Sequence, residues 1–155
     1  MKTRKRMLVI SGVIMIILIC IAFSIRQLQN DTFYTIKVGQ SILKNGIDGI
    51  DHFSWHGLPY TYPHWLYDVI IYKVYDMFNF DGIYIFTMLC FMVVGLVFYY
   101  VNMRLNKSYF LSLLFSVLMV IMLANYAAAR AQLFTYFLFV LEAQNILSIA
   151  AQNVT

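Results

Sequence analysis

Two side chains that could do acid–base or phosphate chemistry lie at the edges of apolar runs. Asp31 follows the first long apolar run, and Arg130 lies between two later ones. A carboxylate can act as a general base or bind a divalent cation, and a guanidinium can hold a phosphate through paired hydrogen bonds. Position alone leaves simpler roles open. Asp31 would also suit the N-cap position of a helix. Arg130 would also suit a membrane-interface anchor, with its aliphatic stem along apolar surface and its charge in water.

A second group of polar side chains lies between the first apolar run and the next one. It consists of Asp51, His52, His56 and His64. Carboxylate oxygens suit hard cations and imidazole suits zinc, but the spacing matches no standard metal motif. The alternative is a set of loop residues bonded to the backbone and to headgroups. We expect Asp48, close by, to be a turn residue.

The composition excludes several classes of protein. Of the 155 residues 62% are apolar and 12% are charged, about half the charged share of a soluble domain. A disordered chain, a nucleic-acid-binding domain and an ordinary cytosolic enzyme are therefore excluded, and lipid must be the solvent for most of the chain. Phosphate-binding glycine loops and the common hydrolase motifs are absent from the sequence. Cys20 and Cys90 lie in apolar runs and are predicted to be free thiols.

The apolar runs predict an all-α polytopic membrane protein with about four transmembrane helices in one membrane domain. The predicted segments are a cytoplasmic tail (1–6), transmembrane helices (7–25, 82–103, 109–126 and 132–150) and an outer loop (26–81). The first run, about 19 residues, is long enough to cross the hydrocarbon core. The basic cluster before it favours a cytoplasmic N-terminus. A cleaved signal peptide is the alternative for this run.

The outer loop is predicted to contain one or two helices on the membrane surface. An amphipathic pattern predicts a helix over 32–44, which Gly46 would end. A second surface helix is predicted over 65–80, with Asp68, Lys73 and Asp76 on its wet face because charges are costly at the bilayer centre. A short transmembrane helix is the alternative there.

The distribution of basic residues favours the surface placement of 65–80. Arg104 and Lys107 then face the cytoplasm, as the positive-inside tendency requires. The same topology places Asp31, Asp51, the histidines and Arg130 together on the outer side. We therefore expect a multi-pass protein of the cell membrane with an extracellular main loop.

Three stretches of the outer loop resemble the first outer loop of GT-C class membrane glycosyltransferases. This class includes the protein O-mannosyltransferases and the lipid A aminoarabinose transferase. The stretches are 31–46, 51–57 and 60–68, which contain Asp31, Gly39, Gly46, Asp51, Phe53-Ser54 and His64-Trp65-Leu66. Arg130-Ala131-Gln132 resembles an Arg-Pro-Gln of the class, with Ala131 in place of proline. The likeness covers about residues 7–140 and corresponds to the N-terminal portion of such an enzyme.

The resemblance implies transfer of a sugar from a polyprenyl-phosphate donor at the outer membrane face. It implies Asp31 as the catalytic base, and Arg130, His64 and Asp51 as substrate-binding residues. Alternatively, the resemblance implies that Asp31 helps to hold a divalent metal, for which we predict His56 of the loop cluster as a second ligand. Two positions depart from the class and weaken the case for a metal: Thr32 replaces a second acidic residue, and His64 replaces a glutamate.

The length of the chain leaves a second function open, because members of the class are much longer. The sequence fits either a glycosyltransferase completed by further helices or a non-catalytic small membrane protein that serves as an assembly or interaction subunit. The expected partners are the lipid bilayer, the polyprenyl-phosphate donor and further membrane subunits, but not nucleic acid.

Overall fold

The computed structural model describes residues 2–24, 30–106, 108–126 and 129–152, which form five helices. They are α1 (Lys2–Phe23), α2 (Asn30–Asn45), α3 (Trp65–Leu105), α4 (Tyr109–Ala124) and α5 (Gln132–Gln152). These described residues contain no strand, only an isolated antiparallel bridge between Ile50 and Pro59. The predicted all-α class is confirmed.

Two of the five helices are long and apolar enough to cross a membrane. They are the segment Lys5–Phe23 of α1 and the helix α3. The helix α4 is apolar but has 16 residues, fewer than the roughly 20 that usually span a bilayer. By length and composition, the described residues therefore supply two spans of the predicted four.

The described helices fall into two compact units. The first unit contains α1, α4, α5 and the part of α3 from Thr87 onward. The second unit contains α2, the loop 46–64, the part of α3 up to Phe86, and residues 129–131. Each unit has its own buried core.

Close packing in the first unit involves small residues on α1 and α3. On α1, Ile16 and Cys20 are fully buried, and Gly12 lies against the ring of Tyr99, so that a side chain at Gly12 would collide with it. Gly95 of α3 leaves room for Cys20, as a Cβ there would lie 3.1 Å from the Cys20 Sγ. Small residues let helix backbones approach closely, as they do in membrane helix pairs.

The polarity of α4 is reversed relative to that of a helix on a soluble protein. Its buried residues include Ser112 and Ser116, whereas large apolar side chains are exposed. Ser112 Oγ donates to the carbonyl of Asn102 at 3.0 Å, and Asn102 Nδ2 donates to Ser116 Oγ at 3.2 Å. The exposed side chains are Phe110, Leu111, Leu114, Phe115, Leu118, Ile121 and Met122. A helix in water would bury its apolar face and expose its serines.

The helix α3 contains a break at Asn79. The backbone there has φ 54° and ψ −152°, which is not helical. The sequence predicts separate helices over 65–80 and 82–103, and the break falls near their boundary. The polar residues Lys73 and Asp76 precede the break, and the long apolar segment follows it.

In the second unit, α2 packs against the first turns of α3. Gly39 permits this contact, because a Cβ there would collide with the backbone carbonyl of Asp68 and with the Tyr72 side chain. Gly46 ends α2 as predicted: its φ is 81°, and its N–H donates to the carbonyl of Ile42 at 2.9 Å. Glycine adopts this left-handed conformation at helix ends without steric cost.

Candidate functional site

The structure joins Asp31 and Arg130 in an ion pair within the second unit. Asp31 lies in the first turn of α2, and its Oδ2 is 2.5 Å from Nη2 of Arg130. The side chains are 63% and 38% exposed, respectively, so the pair is open to solvent. A carboxylate at this position is also favoured by the positive end of the helix dipole.

Arg130 is held by the residues on either side of it. Ala129 is buried in a cluster with Ile36, Tyr67, Ile71 and Ile83, and Ala131 packs against the same cluster. Two small side chains anchored in the core fix the backbone on both sides of the arginine. The position of the Arg130 backbone is therefore determined by packing, and its guanidinium is attracted to Asp31.

Two buried polar atoms near the ion pair lack hydrogen-bond partners among the described residues. They are Nε of Arg130 and Oγ1 of Thr32, the residue after Asp31. Thr32 is fully buried. Buried polar groups usually have a partner, because leaving one unpaired is costly. Arg130 and Thr32 therefore each have a polar atom that is available for a further hydrogen bond.

Asp48 organises the loop 46–64, as expected for a turn residue. Its carboxylate accepts from the Ile50 N–H at 3.2 Å and lies 2.6 Å from Nε2 of His52. Tyr62 Oη donates to the carbonyl of Ile50 at 2.9 Å. The pKa of Asp48 is lowered from its usual value, mainly by the hydrogen bond from the Ile50 N–H and secondly by the hydrogen bond with His52.

Asp51 and His56 have different surroundings in the same loop. The Asp51 carboxylate accepts from the N–H of Phe53 at 2.9 Å, the geometry of an Asx turn. His56 is exposed, and the neighbouring Trp55 is 96% exposed. The substrate-binding role of Asp51 stays a prediction, and so does that of His64.

The position of Asp68 differs from the prediction, which placed it on the solvent-facing side of its helix. Its side chain is only 2% exposed, and both carboxylate oxygens lie near Nδ1 of His64, at 3.2 and 3.3 Å. The reason is the close contact at Gly39, which brings α2 over this turn of α3. His64 itself is 47% exposed. The spacing of four residues between His64 and Asp68 was the available signal for this dyad.

The metal ligands predicted from the resemblance, Asp31 and His56, are not part of a metal-binding group in the described part of the chain. Across these residues, no three His, Cys, Asp or Glu side chains come together in a way that could hold a metal ion. The Asp31 carboxylate is paired with a guanidinium. A divalent metal therefore stays a prediction.

The chain was compared with known proteins in three ways. Neither the family models, nor the curated proteins, nor the solved structures include a match. Function is accordingly inferred from the residues of the second unit and their geometry.

Proposed function

We propose that this chain is a GT-C-like membrane glycosyltransferase, or the N-terminal part of one. It transfers a sugar from a polyprenyl-phosphate donor to an acceptor hydroxyl at the outer membrane face. The observation that supports this best is the Asp31–Arg130 pair, which places a carboxylate beside a guanidinium. Sugar transfer from a lipid phosphate needs both groups, a base for the acceptor and a cation for the leaving phosphate.

In this reaction, the acceptor oxygen attacks the anomeric carbon of the sugar. Asp31 takes the proton from the acceptor hydroxyl, and the bond between the anomeric carbon and the phosphate oxygen breaks. The electron pair of that bond stays on the phosphate oxygen, whose negative charge Arg130 stabilises. The exposure of Asp31 is consistent with access for an acceptor.

The proposal includes four membrane-spanning segments: α1, α4, α5 and the part of α3 after Asn79. Large exposed apolar side chains on α1 and α4 support this, together with the buried serines of α4. The basic residues in the first turns of α1 favour a cytoplasmic N-terminus and hence an outward-facing loop 46–64. A divalent metal bound by Asp31 and His56 would be a further part of the site, and chelation would then abolish transfer.

The test is an assay of sugar release from polyprenyl-phosphate donors, with the chain inserted in membranes. Asp31→Asn is expected to lower the rate by about 10²- to 10⁴-fold, the usual contribution of a general base. Asp76→Asn, at an exposed carboxylate elsewhere, is the matched control and should retain full activity. Absence of release from correctly inserted wild-type protein would contradict sugar transfer by this chain on its own.

A non-catalytic subunit is the second candidate function. The pairing of Asp31 with Arg130 favours it, because a neutralised pair can be purely structural. In that case Asp31→Asn and Arg130→Gln would both weaken association with further membrane subunits, and neither would change a rate of sugar transfer.

A further inference from the structure

We propose that the phosphate group of a polyprenyl lipid displaces Asp31 from Arg130 when it binds, so that binding of the donor, whose phosphate also carries the sugar, frees the base. The inference deepens the proposed function, on which it rests, by stating how the same pair of residues takes the phosphate. In the unoccupied site the guanidinium holds the carboxylate. In the occupied site it holds phosphate oxygens, and the carboxylate is released to the acceptor.

The geometry of the guanidinium is the first argument. Nε and Nη2 of an arginine lie on one edge, and this edge binds two oxygens of a phosphate or carboxylate in parallel. In Arg130, Nη2 contacts Oδ2 of Asp31, whereas Nε is buried and has no partner among the described residues. Asp31 therefore leaves half of a two-point binding edge unused, and a phosphate could occupy both points.

The weakness of the present pair is the second argument. Both side chains are substantially exposed, and exposed ion pairs contribute little to stability because water and salt screen them. The phosphate of a lipid-linked sugar has two anionic oxygens that fit both points of the guanidinium edge. It can therefore form one more hydrogen bond than the single contact that Asp31 makes there.

The fixed backbone around Arg130 is the third argument. Ala129 and Ala131 are packed in the core cluster of the second unit and do not depend on Asp31 for their position. The arginine keeps its place when the carboxylate leaves. Asp31, in contrast, has an exposed side chain in the first turn of α2 and can turn toward another partner.

Competition for one guanidinium makes an unusual prediction about affinity. Asp31→Asn removes the competing anion, so the affinity for the phosphate should rise by about 5-fold or more, the lower range of typical coupling between two ligands. Arg130→Gln should lower the affinity by about 10-fold or more, because charge-assisted hydrogen bonds are lost.

The experiment measures binding of undecaprenyl phosphate, the lipid phosphate that such a reaction releases, to the full chain in nanodiscs. The proteins compared are wild type, Asp31→Asn, Arg130→Gln and the control Asp76→Asn. Parallel titrations use inorganic phosphate and nanodiscs that contain phosphatidylglycerol, to separate a lipid phosphomonoester from free phosphate and from a general anionic headgroup. Circular dichroism of each variant establishes that it is folded. The inference is supported if Asp31→Asn tightens the binding of undecaprenyl phosphate while Asp76→Asn leaves it unchanged.

Three results would overturn the inference: unchanged or weaker binding by folded Asp31→Asn, no phosphate binding by any variant, or tightening confined to phosphatidylglycerol or to inorganic phosphate. The measurement involves no sugar. Tighter binding by Asp31→Asn with no transfer by wild type would contradict the proposed function alone. Transfer by wild type without this tightening would contradict the displacement alone.

Discussion

At the residue scale, the His64–Asp68 dyad combines a buried carboxylate with a half-exposed imidazole. A carboxylate accepts a hydrogen bond and cannot donate one, so the contact favours the tautomer of His64 whose hydrogen is on Nδ1. We predict that Asp68→Asn lowers the free energy of unfolding by about 1–3 kcal/mol, the cost of losing a buried hydrogen bond to a charged group.

The same variant should release the ring of His64 from this tautomer. The ¹⁵N chemical shifts of the His64 imidazole would report the change, with Asp76→Asn as the control. Unaltered shifts in Asp68→Asn would contradict a positioning role for this carboxylate.

The lowered pKa of Asp48 predicts that the stability of the loop 46–64 depends on pH. Its pKa is lowered from the usual 3.8 in the folded chain by the Ile50 N–H and then by His52. The stability it contributes is therefore present above pH 3.8 and is lost as the pH falls through the lower folded pKa. The amide chemical shift of Ile50 should titrate below pH 3.8 in the wild type and should not do so in Asp48→Asn.

A control for this titration is available in the same loop. Asp51→Asn should alter the amide chemical shift of Phe53, because the Phe53 N–H donates to the Asp51 carboxylate. It should not affect the titration of the Ile50 amide chemical shift, because the Ile50 N–H donates to Asp48. An Ile50 amide that titrates equally in Asp48→Asn would show that another group controls this turn.

Residue types were easier to predict than residue contacts. The sequence singles out Asp31 and Arg130 because charged residues are conspicuous beside apolar runs. Their ion pair depends on how Ala129 and Ala131 pack against the core of the second unit, which no local pattern encodes. The burial of Asp68 was missed for a similar reason, since it depends on the contact with Gly39.

At the element scale, the contact of α2 with α3 determines where Asp31 and the His64–Asp68 dyad are held. Gly39→Ala should lower the free energy of unfolding by about 1–3 kcal/mol, because overpacking forces the two backbones apart. Thermal unfolding in detergent measures this, with Lys37→Ala at an exposed position of α2 as the control. Equal stability of Gly39→Ala and wild type would contradict the close approach of these helices.

The ends of helices could be predicted where the sequence contains a residue that favours a helix end. The sequence predicts a helix over 32–44 that ends at Gly46, and α2 covers Asn30–Asn45. It also predicts a division of the segment 65–103, which corresponds to the break at Asn79. The position of the break could not be predicted, because asparagine does not require a positive φ and adopts it here in the folded context.

At the scale of the whole molecule, the exposed apolar face of α4 predicts lipid as its solvent. Leu118→Lys should cost about 2.5–3.5 kcal/mol of insertion free energy if α4 crosses the bilayer. The same change on a surface in water would alter stability by about 0.5 kcal/mol or less. Leu58→Lys, at an exposed leucine of the loop 46–64, is the matched control and should insert normally.

The outcome is measured as the fraction of protein integrated into membranes after expression. Normal integration of Leu118→Lys would mean that α4 does not cross the bilayer at this depth. The sequence could predict the all-α class because its apolar runs are long enough for membrane helices, but it predicts more spans than the length and composition of the described helices supply.

The central claim is that Asp31 and Arg130 meet at the outer face of a membrane protein. The most direct test is labelling of single cysteines by a membrane-impermeant maleimide on intact cells, in a background with Cys20→Ala and Cys90→Ala. His56→Cys and Asn125→Cys should be labelled from outside, and Asn106→Cys only after the membrane is permeabilised. Labelling of Asn106→Cys from outside, or protection of His56→Cys, would contradict the claim.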